Sequence, residues 1–170
     1  MMAKKKQRRP ITAILFLCYG ALMVYLLFER SPGSAEGVSY WEQIRANCNF
    51  TPWHTVGNYW DILTRPTYYL AKWDAALYRY RALTALINIA GNIAMFVPLG
   101  AFMPAVWQNL QRSWKAIPLG CLSIVLVEIC QLFTLRGRCD IDDLLLNVIG
   151  IALGYAGWRL VQLCRRKKRG

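Results

Sequence analysis

The chain holds a single histidine, His54, and only nine Asp and Glu against twenty-one Lys and Arg in its 170 residues. Charged residues make up 18% of it, below the quarter or so usual in soluble domains. Its six cysteines show no Cys-x-x-Cys spacing, which leaves a zinc site unsupported. There is no Gly-x-Ser-x-Gly elbow, and a Ser-His-Asp triad would have to draw His54 from a loop to meet Ser39 or Ser123. A glycine-rich phosphate loop is missing too, as are internal repeats and any low-complexity tract beyond two basic tails. With 56% of its residues apolar, the chain is neither disordered nor collagen-like.

What is present is apolar and blocked. Four runs of about 18–24 residues are long enough to cross a bilayer as helices at 1.5 Å per residue. The expected division is a basic tail over 1–10, a first span over 11–28, a loop over 29–82, a core of three spans over 83–157, and a helix end with a basic tail over 158–170. Within the core the runs are 83–103, 116–135 and 141–164. Pro32-Gly33, Pro104 and the Arg136-Gly137-Arg138 turn punctuate the spans, and Pro98 and Pro104 are expected to kink or end the second one. The first run exceeds a signal-peptide core, so it reads as a retained anchor although Gly33-Ser34-Ala35 resembles a weak cleavage site. The fold class is therefore an all-α membrane protein with four transmembrane helices.

Charge orients it. The net charge of +12 is concentrated at Lys4, Lys5, Lys6, Arg8 and Arg9 and at Arg165, Arg166, Lys167, Lys168 and Arg169, beside apolar runs, which argues for topology rather than nucleic acid. With both ends inside, twelve cations and no acid lie on the cytoplasmic side, while the outer loops hold eight of each. The expectation is a bacterial cytoplasmic-membrane protein with both termini cytoplasmic. The long outer loop is rich in Tyr and Trp, including Trp41, Trp53, Trp60 and Tyr68, and is expected to carry short interfacial helices.

Polar residues inside the spans are costly and so informative. Asn88 and Asn92 stand on the second span, Glu128 and Gln131 on the third, and Asp143 and Asn147 on the fourth, each pair on one helix face. Asn88, Glu128 and Asn147 lie roughly 8, 10 and 9 Å from the outer ends of their helices. A shared cavity opening outward at Arg138, Asp140 and Asp143 accounts for the common level, and interhelical glue is the alternative for Asn88 and Gln131. Glu128 is either an inert protonated carboxyl or a functional acid. One of Asp140 and Asp143 is expected to cap the fourth helix, with Arg138 neutralising the acids. Gly150 and Gly154 form a small-xxx-small pair, with Gly91 and Ala94 as the facing surface. Cys48 and Cys139 share the outer side, where a disulfide and two free thiols both stand as readings.

Three segments carry a resemblance. Asn49-Phe50-Thr51-Pro52-Trp53, the stretch from Gly91 to Gly100, and Glu128-x-x-Gln131 followed by Arg138-x-Asp140-x-x-Asp143-x-x-x-Asn147-x-x-Gly150 together resemble the VanZ-like family of small bacterial membrane proteins. The departures are Trp53 for Phe and His54. The resemblance implies a teicoplanin-resistance type of envelope protein, without a settled chemistry. The expected partners are membrane lipids, a lipid-linked cell-wall precursor or a lipoglycopeptide, engaged by the cavity and by Asn49, Pro52 and Trp53. The alternatives are a membrane-embedded enzyme with Glu128 as general acid/base and Asp143 and Arg138 positioning substrate, or a structural partner in an envelope complex. No cofactor and no metal is expected, apart from the alternative of a divalent cation on Glu128, Asp140, Asp142 and Asp143.

Overall fold

A computed structural model describes residues 8–29 and 37–168. The N-terminal tail up to Gln7, Pro32-Gly33 and Gly33-Ser34-Ala35 lie outside the described residues. Four long helices dominate: α1 (Arg8–Phe28), α5 (Ala75–Val106), α6 (Ser113–Phe133) and α7 (Ile141–Lys167). All four are long and apolar enough to cross a membrane. Their outward faces are apolar as well, Leu17 being 69% exposed, as a lipid-facing surface requires. The chain is an all-α, multi-pass membrane protein.

Between α1 and α5 lie α2 (Tyr40–Ala46), α3 (His54–Thr64) and α4 (Pro66–Leu70). A capping box starts α2: Ser39 accepts from the Glu42 N–H at 3.3 Å, and Glu42 accepts from the Ser39 N–H at 3.0 Å. The α3 helix stops before Arg65, whose backbone is pushed out of the helical region by Pro66, and Pro66 then opens α4 at its first position. A feature absent from the sequence reading joins this segment to the bundle. Cys48–Asn49 (β1) pairs in parallel with Cys139–Asp140 (β2), Cys48 opposite Cys139 and Asn49 opposite Asp140.

The helix that carries the second apolar run is longer than that run. Asp74 caps α5 by accepting from the Leu77 N–H at 2.8 Å, so the helix begins eight residues before Leu83. It runs 32 residues, roughly 48 Å, and its first turns extend past a hydrocarbon core of about 30 Å. Neither Pro98 nor Pro104 ends it. Each removes one N–H, but in a packed membrane bundle neighbouring helices hold the chain helical through such a gap.

Close backbone contact builds the core. The α7 glycines rest on α5 carbonyls: a Cβ on Gly150 would stand 2.3 Å from the Ile93 oxygen, and one on Gly154 1.9 Å from the Val97 oxygen. The order of these pairs makes α5 and α7 parallel. Gly100 returns the contact, its Cβ position lying 2.0 Å from the Ile151 oxygen. The expected facing surface at Gly91 is thereby corrected, since a Cβ there meets nothing within 4 Å. On α6, Gly120 admits the Ile151 side chain, and Met23, Phe96, Ile124 and Ile151 form the buried centre. The α1 helix packs antiparallel on α5, with the Phe16 ring 5.1 Å from Trp107 and the Tyr19 hydroxyl donating to the Met95 carbonyl at 2.7 Å.

Candidate functional site

The start of α7, Asp140-Ile141-Asp142-Asp143, sends three carboxylates to three places. Asp140 takes the N-cap, accepting from the Asp142 N–H at 2.9 Å. Its other oxygen accepts from the Thr55 hydroxyl at 2.6 Å and the Asn49 amide at 3.2 Å. Asn49 in turn accepts from the Thr51 N–H, which shapes the turn before Pro52. Asp142 is fully buried and caps a different helix. It accepts from the backbone N–H groups of Trp53 at 2.6 Å, Thr55 at 2.9 Å and Val56 at 3.0 Å, the open donors at the start of α3. Trp53, at the N-cap of α3, offers no side-chain bond there and sits at φ 63°, a left-handed conformation held by this contact. Asp143 accepts from the Asn92 amide at 2.6 Å, tying α7 to α5.

The expected neutralisation by Arg138 does not occur. Arg138 is exposed and makes no ion pair among the described residues. The α3 N-terminus does that work for Asp142, since its N–H dipoles carry partial positive charge to a buried carboxylate. Two further candidates also turn elsewhere. The Asn88 amide donates to Thr84 of its own helix at 2.7 Å, and the Gln131 amide to the Leu27 carbonyl at 2.8 Å. Arg136 donates to the Phe28 carbonyl, so the α6–α7 turn satisfies the last carbonyls of α1. The turn is tight: a Cβ on Gly137 would lie 2.9 Å from the Gln131 side chain.

Glu128 and Asn147 remain. They are 7% and 3% exposed, on α6 and on the Asp143 face of α7. One oxygen of each, Glu128 Oε2 and Asn147 Oδ1, is buried without a hydrogen-bond partner among the described residues. Pro52 and Trp53, by contrast, are exposed, Trp53 to 67%. Among the described residues no three His, Cys, Asp or Glu side chains converge as a metal-holding set. The residues missed in the sequence are Asp142 as a cap and Thr55 as its relay. The signal was three acids at one helix start, where a helix can use only one as its own cap.

Cys48 and Cys139 face each other across the β pair as free thiols. Burial raises the Cys139 thiol above its ordinary range, with smaller contributions from Glu128, Cys48 and Asp140. Its thiolate form is therefore scarce at neutral pH. In a variant with serine at the other five cysteines, maleimide labelling followed against pH is expected to reach its midpoint later than for a free cysteine. A midpoint at or below the free value would contradict this burial.

Compared with known proteins, the chain matches a family model described as VanZ/LLP1 over residues 16–162. No curated protein and no protein of solved structure matches it.

Proposed function

Because this chain belongs to the VanZ/LLP1 family, we propose that it binds an outer-leaflet lipid or a lipoglycopeptide in the bacterial envelope and so lowers susceptibility to teicoplanin-type antibiotics. In this reading it sits in the cytoplasmic membrane with both termini inside, since the cations abutting the spans gather at those ends and at Arg112 and Lys115. The α2–α4 segment then faces outward, and Trp41, Trp53, Trp60 and Tyr68, all exposed, settle at headgroup level. One observation carries the proposal: Glu128 and Asn147 each bury an oxygen with no donor among the described residues. An unmet buried acceptor costs about 1–3 kcal/mol, so a ligand presenting hydroxyl, amide or amine donors gains what the fold lacks. Asp140 and Asp142 are already engaged by the loop and Asp143 by Asn92, which leaves Glu128 as the carboxyl with an unmet buried oxygen among the described residues.

Glu128→Gln preserves shape but removes ionisation. With expression unchanged, it is expected to remove one bound lipid or lipoglycopeptide from those seen by mass spectrometry and return the teicoplanin inhibitory concentration to that of cells lacking the protein. A Glu128→Leu protein that retains both lipid and protection overturns the proposal. An envelope-lipid product that disappears with Glu128→Gln would instead establish the enzymatic alternative, with Glu128 as general acid/base.

A further inference from the structure

The opposite end of the bundle has a feature that the α7 N-terminal site does not use. As far as Gly154, α7 touches α5 backbone to backbone. Three residues further on the helices have parted: a Cβ on Gly157 meets nothing within 4 Å. The opening is a groove of about 430 Å³ between α1, α5 and α7, within the roughly 300–1,000 Å³ typical of small-molecule sites. Its walls are apolar, with Val97, Ala101 and Ala105 on α5 and Leu153 and Val161 on α7. Its polar lining is Gln162 and Arg165 from the last turns of α7, with Thr12 from α1. Arg165 is exposed and has no ion pair among the described residues. It belongs to a last turn of Arg165, Arg166 and Lys167, and no acid occurs in the chain beyond Asp143.

An apolar channel ending in unpaired cations fits one chemistry, an acyl chain joined to an anion. We infer that this groove is a binding site for an anionic phospholipid, with an acyl chain laid along Ala101, Ala105 and Gly157 and the phosphate on Arg165. A basic residue near a membrane surface favours an anionic headgroup by about fivefold. Gly157 is what keeps the channel open, since any longer side chain would occupy it.

The test uses delipidated full-length protein in neutral detergent, titrated with phosphatidylglycerol or with phosphatidylcholine of the same chains and read by native mass spectrometry. One phosphatidylglycerol is expected to be retained, with about fivefold preference over phosphatidylcholine. Arg165→Gln is expected to reduce that preference towards unity. Gly157→Leu is expected to weaken phosphatidylglycerol at least tenfold while the melting temperature holds. Equal binding of the two lipids overturns the inference, as does unchanged binding by Gly157→Leu. A preference that survives Arg165→Gln places the lipid on the tail charges outside the groove and overturns it too. Should Gly157→Leu lower the melting temperature, Ala105→Leu narrows the groove from the other wall and is read in the same way.

Discussion

Gly154→Leu is expected to be the most damaging single change in the bundle. At this position even a methyl group would stand 1.9 Å from the Val97 carbonyl oxygen, and the obstacle is backbone rather than a side chain that can rotate aside. The helices must separate or the bundle must reorganise. Overpacked cores lose typically 1–3 kcal/mol when side chains can yield, and this site is expected to reach or exceed about 3 kcal/mol. Separation would also draw Asp143 away from Asn92 and expose the Ile124–Ile151 centre. The measurement is the unfolding midpoint in detergent, with Gly20→Leu as the matched control, because a Cβ at Gly20 meets nothing within 4 Å. Equal midpoints for the two variants would refute the close α5–α7 contact.

Asp142→Asn ranks second. The carboxylate receives three backbone N–H groups on two oxygens, and an amide can offer only one of those oxygens. Its NH₂ must then face at least one N–H across a buried gap. Losing charge-assisted bonds and leaving donors unmet costs about 3 kcal/mol or more. The damage should be local before it is global. Hydrogen exchange at Trp53, Thr55 and Val56 is expected to accelerate, and trypsin is expected to cut at Lys72 well before the spans unfold. If exchange at these amides is unchanged, the cap does not hold α3 in place.

The spans were legible because a run of apolar residues states its own requirement: it has to leave water whatever its neighbours are. Limits were less so. Ala75–Ala82 contains Tyr78, Arg79, Tyr80 and Arg81, which do not read as membrane interior, yet Asp74 caps a helix there and the helix begins before the apolar run. Gly150 and Gly154 were readable as a contact face, but their partners were not. They dock on the carbonyls of Ile93 and Val97, and a carbonyl belongs to every residue, so no side chain marks it. The polar set was legible in part for a related reason. The common level of Asn88, Glu128 and Asn147 did not give the bond that forms between Asn92 and Asp143, and Gln131 and Asn88 turn to backbone oxygens nearby. The Asp142 cap and the Cys48–Asn49 ladder join residues about ninety positions apart, beyond the reach of any periodicity.

That separation has a consequence for synthesis. The α3 start leaves the ribosome 89 residues before the carboxylate that completes it. At about 5–20 residues per second, the nascent loop waits roughly 4–18 s without its anchor. Its last partner arrives at the head of the final helix, so the extramembrane segment closes only when that helix is delivered. A chain stalled before residue 142 would carry the α3 start without the carboxylate that caps it.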